Sequence, residues 1–284
     1  MGKELYETND LANEFFETAN TKLGYSITDL MFEGDKATLR LTKYAQPAIY
    51  LNSIIIAKTR REFNPEMVAG HSLGEITALV ACRALSFGDG LKLVAKRGEL
   101  MQRACENSPS TMGAVLGLED EQVEEVLAGI KEEIIVPANY NTRNQLVISG
   151  TLKGMELATE ALMEAGARRV IKLNVAGAYH SPIMDEIVEE YAQALDSVTF
   201  KEPRAAVYQN VQPHDPVSDP GEIKANLLKQ VNNPVYWKQT IEQMFEDGAR
   251  KFIEIGPKPV LTSMVRSTLE RDITTSWTNI EEVV

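Results

Sequence analysis

The sequence contains few of the residues on which metal centres, disulfide frameworks and redox sites depend. Its 284 residues include 2 cysteines and 3 histidines, and only 7% of them are aromatic. Cys82 and Cys105 lie in apolar-periodic segments without metal-binding or redox spacing, so we expect buried, reduced thiols. No apolar run approaches the roughly 18 residues that a membrane span needs. We therefore expect no metal site, no cofactor and no membrane partner.

Positive charge is also scarce, because 29 basic residues stand against 41 acidic ones and the net charge is −12. Binding to nucleic acid requires a basic face for the phosphates, so this balance argues against a nucleic-acid partner. The first residues contain no apolar region of the kind found in secretory signals, and we expect a cytoplasmic protein. We further expect a monomer.

The residues that are present indicate a large globular unit, with 44% apolar and 25% charged side chains and no internal repeat. The pattern from the start of the chain predicts a strand at Met67–Gly70 and several helices. The predicted helices are Gly2–Leu23, Pro47–Glu62, Glu75–Leu85 and Asp89–Cys105. Pro47 suits the first turn of its helix, where no backbone N–H is needed.

The middle of the chain has a different periodicity, which predicts a βαββαβ order. The predicted elements are strand Met112–Leu118, helix Glu119–Lys131, strands Ile134–Asn141 and Gln145–Gly150, helix Thr151–Gly166 and strand Arg168–Val175. This order is the ferredoxin-like arrangement. We expect an inserted subdomain over residues 109–177 and a main domain formed by residues 1–108 and 178–284.

The last third of the chain returns to alternating helices and strands, which predicts a mainly parallel sheet covered on both faces. Its predicted elements are helix Pro182–Leu195, strand Ala205–Val211, helices Gly221–Val231 and Val235–Gly248, strand Lys251–Gly256 and helix Pro259–Leu269. The active site of such a sheet lies at the carboxyl ends of its strands. The chain opens on a helix, and we expect that a first strand is missing.

The segment Gly70-His-Ser-Leu-Gly74 has the G-x-S-x-G pattern of a nucleophile elbow, and it lies between a predicted strand and a predicted helix. The two glycines would relieve crowding around a strained serine. Ser72 would then lie near a helix N-terminus, where the Leu73 N–H can donate to an oxyanion. The alternative is a glycine-rich turn in which Ser72 merely caps the helix.

A serine nucleophile needs a base, and three histidines are available. His71 adjoins Ser72 on the turn, and neighbours on a sharp turn rarely point to one spot, so a structural role is expected. His214 lies in a proline-bracketed loop, where solvent exposure is expected. His180 follows the last strand of the inserted subdomain and re-enters the main domain, where a cleft is expected. We therefore predict His180 as the base.

Several segments together resemble the malonyl-CoA:acyl carrier protein transacylases. They are Ala69–Glu75, Leu93–Gly98, Met101-Gln102, Asn139–Asn141, Val147–Gly150, Tyr179–Met184, Asn233–Trp237, Glu254–Pro257 and Val260-Leu261. The resemblance covers essentially the whole chain in the right order. It implies an α/β-hydrolase-like parallel-sheet main domain with a ferredoxin-like insert, which agrees with the periodicity.

The resemblance also implies a reaction. Ser72 would accept the malonyl group of malonyl-CoA as an ester, with His180 as the base, and the phosphopantetheine thiol of an acyl carrier protein would then remove it for fatty-acid synthesis. Arg97 would pair with the malonyl carboxylate, although helical spacing alone favours a solvated arginine. The Gln230 backbone carbonyl would orient the histidine. The expected substrate-binding set also includes His71, Leu73 and Asn141.

One departure from the family pattern bears on the chemistry. Family members begin with a strand and a glutamine loop that supplies a second oxyanion amide, and the segment from Met1 resembles the part of the family sequence directly after that loop.

Three alternative functions remain open. One alternative is an acyltransferase of a polyketide pathway with the same residues. Another is a serine esterase or thioesterase, which predicts an acidic third triad member and an HGGG loop. The third is a truncated, weakly active form that binds carrier protein.

Overall fold

The computed structural model describes residues 2–60, 63–270 and 273–278. The α-helices in chain order are α1 (Lys3–Thr8), α2 (Asp10–Leu23), α3 (Ile27–Phe32), α4 (Lys36–Arg40), α5 (Thr42–Thr59), α6 (Leu73–Ala81), α7 (Phe87–Asn107), α8 (Asp120–Gly129), α9 (Leu152–Glu164), α10 (Val188–Asp196), α11 (Pro220–Lys229), α12 (Trp237–Glu246) and α13 (Leu261–Leu269). A 3₁₀ helix, Pro182–Ile187, leads directly into α10. The strands are β1 (Met67–Ala69), β2 (Ser110–Leu116), β3 (Ile135–Thr142), β4 (Gln145–Thr151), β5 (Arg169–Lys172), β6 (Ala206–Gln209), β7 (Gln212–Val217), β8 (Lys251–Ile255) and β9 (Thr274–Thr278).

The strands in the described part of the chain form three sheets, two of which contain parallel pairs. In the first sheet, β1 pairs in parallel with β6, and β7 adds to β6 in the antiparallel direction. In a second sheet, β8 and β9 pair in parallel. Helices pack against these strands, so the chain has the mixed α/β architecture with parallel strands that the sequence predicts.

The third sheet is antiparallel, with the strand order β3-β4-β2-β5. Helices α8 and α9 pack on it and enclose a small core that includes Val115, Ile148 and Leu162. A βαββαβ unit with this strand order is the ferredoxin-like arrangement. The unit has a core of its own, and the boundaries at residues 109 and 177 stay a prediction.

The main core is built around α5, which is buried on nearly all sides. Ile54, Ile55 and Ile56 are each fully buried, and the helix packs along α7 and against α6. A helix that is apolar all round lies inside a protein, because any exposed face would leave apolar surface in water. Helix α7 carries one apolar face onto this core and therefore has a fixed orientation beside the turn that comes after β1.

The first two predicted helices differ from the structure. The predicted helix Gly2–Leu23 is interrupted at Asn9, which has extended backbone angles and accepts the Ala12 N–H with its side chain, so a second helix begins there. Helix α5 begins at Thr42, and Pro47 lies inside it instead of in its first turn. The residues 61–62 at the predicted end of that helix lie outside the described part of the chain.

The prediction of a loop around His214 is wrong. Residues Gln212–Val217 form β7, whose two prolines lie on an edge strand, the position in a sheet that tolerates them. His214 itself is exposed, as expected. Within the described ranges, no helix is long and apolar enough to cross a membrane.

Candidate active site

Ser72 lies on a strained turn between β1, which ends at Ala69, and α6, which begins at Leu73. Its backbone angles are φ 53° and ψ −111°, an unfavourable combination for a residue with a side chain. A Cβ at Gly70 would lie 1.9 Å from the Gly74 carbonyl oxygen, so only glycine fits at position 70. The strain and the close approach are features of a nucleophile elbow.

Gly74 does not share this requirement, contrary to the sequence-based expectation. A Cβ at Gly74 would meet no atom within 4 Å, apart from the backbone of its own helix.

We therefore expect Gly70→Ala to destabilise the fold by about 1–3 kcal/mol or more through overpacking. Gly74→Ala is the matched control, and its stability should equal or exceed that of the parent, because alanine favours helix over glycine by about 1 kcal/mol. Urea unfolding of both variants checks this, and equal stability of the two would contradict it.

His180 completes a hydrogen-bonded pair with the serine. Its Nε2 lies 2.8 Å from Ser72 Oγ, and its Nδ1 lies 2.8 Å from the Gln230 backbone carbonyl oxygen. A carbonyl only accepts, so Nδ1 carries the proton and Nε2 is left to accept the serine hydroxyl proton. His180 is 3% exposed and has φ 56°, so its position is fixed by the surrounding structure.

Burial, with a smaller contribution from the charge of Arg97, lowers the pKa of His180 to about 3. The imidazole is therefore neutral at neutral pH, which is the state that a general base requires. The ordinary histidine pKa is about 6.5.

The reactivity of Ser72 toward an uncharged fluorophosphonate should depend on the protonation of His180. Protonation removes the base, so the acid limb of the rate profile should lie well below pH 6.5. Arg97→Ala should move that limb upward, because the guanidinium disfavours the imidazolium. The profile of labelling rate against pH provides the measurement. An acid limb near 6.5 in the parent protein, unchanged by the substitution, would contradict the prediction.

Arg97 extends from α7 to the same serine, and it is 1% exposed. The expectation of a solvated arginine, drawn from helical spacing alone, is therefore wrong. Nη2 donates to Ser72 Oγ at 3.0 Å and to Gln230 Oε1 at 2.9 Å, while Nη1 donates to Gln46 Oε1 at 2.9 Å. These partners are all neutral. Burial lowers the pKa of Arg97, and the nearby Glu75 carboxylate acts in the opposite direction.

A buried guanidinium without an adjacent anion is costly, and an anionic ligand would offset that cost. In the described part of the chain, Arg97 forms no ion pair, and its Nε has no hydrogen-bond partner. A carboxylate presents a planar pair of acceptors that a guanidinium matches. The site can therefore bind an acyl group that carries a carboxylate beside the nucleophile.

Gln230 joins these groups through both its backbone and its side chain. The backbone carbonyl holds His180, Oε1 accepts from Arg97, and Nε2 donates to the Ser72 carbonyl oxygen at 3.0 Å. Gln230 is fully buried, so these contacts are shielded from water. One residue at the end of α11 thus positions the base and also contacts the nucleophile turn and the buried cation.

The remaining predicted site residues lie around the same turn. His71 Nε2 is 2.9 Å from Asn141 Oδ1, and Asn141 in turn donates to Gln145 Oε1 at 2.9 Å. This chain of contacts connects the turn to the β3–β4 hairpin. Desolvation lowers the pKa of His71. The N–H of Leu73, the first residue of α6, is one of the donors that a helix leaves unpaired at its start.

Three residues at the site had no role predicted from the sequence. The first is Gln46 on α5, which accepts a hydrogen bond from Arg97. The second is Asn210, which comes directly after β6 and accepts the Ser72 N–H at 2.7 Å. The third is Glu75 on α6, which accepts the Asn210 N–H at 2.7 Å. One signal could have indicated Asn210, because it lies at the carboxyl end of a strand parallel to β1.

The arrangement can therefore perform acyl transfer through a covalent serine ester. The neutral imidazole of His180 contacts Ser72 Oγ, and the Gln230 carbonyl orients that imidazole. The Leu73 N–H lies at the N-terminus of α6, and the buried Arg97 guanidinium lies beside Ser72 Oγ. Ser72 is only partly buried, which leaves it open to a substrate.

Comparison with known proteins agrees with this chemistry. Residues 1–281 match the family model described as the acyl transferase domain. A relative from Bacillus subtilis (strain 168), the malonyl CoA-acyl carrier protein transacylase, is 40% identical over 275 residues, which are 95% of this chain and 86% of the relative.

Solved structures show the same fold. An acyl carrier protein S-malonyltransferase from Vibrio cholerae superposes with a TM-score of 0.91 at 34% identity, over 98% of this chain and 92% of that one. A malonyl-transacylase solved in complex with its type II PKS acyl-carrier protein has a TM-score of 0.90 at 30% identity, over 97% and 90% of the two chains.

Proposed function

The chain belongs to the acyl transferase domain family, and from that membership we propose that it transfers malonyl groups from malonyl-CoA to the phosphopantetheine thiol of an acyl carrier protein. The reaction passes through a malonyl ester on Ser72, in two half-reactions that share one site. The observation that carries this proposal is Arg97, a buried cation that lies at hydrogen-bond distance from the nucleophile and forms no ion pair with any residue in the described ranges.

In the first half-reaction, Ser72 Oγ attacks the thioester carbonyl carbon of malonyl-CoA while His180 Nε2 takes the hydroxyl proton. The Leu73 N–H donates to the oxygen that becomes negative in the tetrahedral intermediate. The carbon–sulfur bond then breaks, and the coenzyme A thiolate leaves with the proton from His180. The Gln230 carbonyl holds the imidazole in place throughout.

In the second half-reaction, the carrier protein thiol gives its proton to His180, and its sulfur attacks the ester carbonyl carbon. The bond to Ser72 Oγ breaks, and the oxygen recovers a proton from His180. Arg97 binds the malonyl carboxylate in both steps, so the guanidinium exchanges its contact with Ser72 Oγ for a contact with the substrate. No cofactor is needed, because serine and histidine supply the nucleophile and the base.

A polyketide pathway is the second candidate, and one observation favours it. The solved malonyl-transacylase with a type II PKS acyl-carrier protein has the same fold and 30% identity. The same residues would perform the same transfer, so the two candidates differ only in the carrier protein.

The esterase alternative is less well supported, because His180 Nδ1 contacts the Gln230 carbonyl instead of a carboxylate. A cytoplasmic location fits the free, buried thiols of Cys82 and Cys105.

A transfer assay tests the proposed function. The protein is mixed with malonyl-CoA and a holo acyl carrier protein, and malonylated carrier protein and free malonate are both quantified by mass spectrometry. We expect carrier malonylation to be much faster than hydrolysis, and acetyl-CoA to be a poor donor. Release of malonate at the same rate with or without the carrier protein would establish a hydrolase instead. Parallel assays with fatty-acid and polyketide carrier proteins distinguish the two pathways.

A further inference from the structure

A buried polar network lies beside the Ser72 backbone. It contains Glu75 on α6, Gln209 at the end of β6, and Asn210 immediately after that strand. All three residues are fully buried. A buried carboxylate and two buried amides are costly unless they are well paired, so their presence next to the nucleophile needs an explanation.

The Asn210 side chain bridges the nucleophile turn. Its Oδ1 accepts the Ser72 N–H at 2.7 Å, and its Nδ2 donates to the Gly70 carbonyl oxygen at 2.7 Å. The amide thus contacts the turn on both sides of His71. An amide group suits this position because it combines one acceptor with one donor, and each faces a backbone group of the opposite kind.

Hydrogen bonds of its backbone N–H and carbonyl groups hold Asn210 in place. Its N–H donates to Glu75 Oε2 at 2.7 Å, and its carbonyl accepts the Tyr236 N–H at 2.9 Å. Glu75 Oε1 accepts from Gln209 Nε2 at 2.9 Å, which fixes the carboxylate. Because Glu75 lies on the helix that begins at the nucleophile turn, the helix and the strand end are locked together beside Ser72.

The positive φ of Ser72 is unfavourable in isolation, and it persists only where surrounding contacts impose it. We propose that Asn210 is a positioning residue that holds Ser72 in this conformation, and that Glu75 acts through Asn210. This inference rests on the proposed function insofar as it assumes that Ser72 is the nucleophile. Loss of the amide lets the turn relax, and Ser72 Oγ then moves away from His180 Nε2.

Three variants test the proposal. Asn210→Ala removes both contacts with the turn. Asn210→Asp keeps the shape and the acceptor but cannot donate to Gly70, which makes it useful if the alanine variant does not fold. Asn20→Ala is the matched control, because the part-buried Asn20 amide on α2 accepts the Thr28 N–H at 3.3 Å and donates to the Thr28 hydroxyl at 3.0 Å, and both residues lie outside the network around Ser72.

The readout is the rate at which Ser72 reacts, measured with an uncharged fluorophosphonate and in single turnovers with malonyl-CoA. We expect Asn210→Ala to lower both rates by about 10²-fold, the cost of a misplacement of about 1 Å. Asn210→Asp should lower them by at least about tenfold, because one hydrogen bond is lost and a carboxylate oxygen then faces the Gly70 carbonyl oxygen. The malonyl-CoA concentration that gives half the maximal rate should stay unchanged. Asn20→Ala should lower the melting temperature without slowing either reaction.

The outcomes separate this inference from the proposed function. If both Asn210 variants react as fast as Asn20→Ala while the parent takes up malonyl groups, the positioning role is wrong and the transfer activity stands. If the parent reacts with fluorophosphonate but not with malonyl-CoA, the proposed function is wrong, and the fluorophosphonate rates still decide the role of Asn210. A change confined to the half-saturating concentration would overturn the positioning role.

Discussion

Ser72→Ala is expected to lower malonyl transfer to the carrier protein by about 10⁶-fold in kcat, the scale of loss that accompanies removal of a serine nucleophile from a triad enzyme. The reason is that no ester can form without Oγ, and His180 and Arg97 both direct their contacts to that atom. The measurement is the initial rate of carrier malonylation at saturating malonyl-CoA.

A surface serine provides the control for this result. Ser197 is exposed, and its hydroxyl donates to the Ala194 carbonyl oxygen at the end of α10. Ser197→Ala should therefore transfer at the parental rate. A Ser72→Ala protein that keeps more than a small fraction of the parental rate would show that another group accepts the malonyl unit.

Arg97→Ala should produce the second large effect, a loss of donor selectivity. Removal of one partner of a buried charge pair costs about 2–5 kcal/mol, so kcat/KM for malonyl-CoA should fall by about 30-fold to about 5,000-fold. The rate with acetyl-CoA, which has no carboxylate to pair, should change much less. The ratio of the two kcat/KM values is the measured quantity.

Two further arginine variants sharpen that test. Arg97→Lys keeps the charge without the paired donors, and it should recover part of the malonyl rate. Arg103→Ala removes a half-buried arginine of the same helix, whose partner is Glu190, and it should leave selectivity unchanged. Equal losses with malonyl-CoA and acetyl-CoA in Arg97→Ala would mean that the guanidinium supports the fold or the nucleophile and does not select the acyl group.

The local parts of the fold and of the site can be predicted from the sequence. The turn around Ser72 is specified by residues that are adjacent in the chain, and the steric need for Gly70 arises from them. The βαββαβ order of the middle segment is likewise visible in the periodicity, since each of its strands and helices is defined by its own apolar pattern.

The parts that depend on distant contacts cannot be predicted in this way. Arg97 is buried because Gln46 and Gln230, from α5 and the end of α11, give its guanidinium neutral partners inside the protein. No spacing within α7 reports those contacts, and only the family resemblance indicates a role for Arg97. Asn210 is a similar case, because its partners on the nucleophile turn lie about 140 positions away in the chain.

Strand β7, at the edge of its sheet, is a place where the sequence-based prediction and the structure differ. Strand β7 contains Pro213 and Pro216, which favour a loop by their local chemistry. An edge strand tolerates proline because one side of it has no neighbour to accept an N–H. The sequence pattern alone does not reveal that β6 can pair with this segment. The two prolines therefore wrongly favour a loop.

The most direct test of the proposed mechanism is to isolate the ester on Ser72 and then discharge it. The parent protein is incubated with malonyl-CoA, and its intact mass and the mass of its Ser72 peptide are recorded before and after addition of holo acyl carrier protein. We expect a mass increase of one malonyl group on that peptide, which disappears as the carrier protein gains it. An unmodified Ser72 peptide during active transfer, or an ester that the carrier protein cannot remove, would contradict the mechanism.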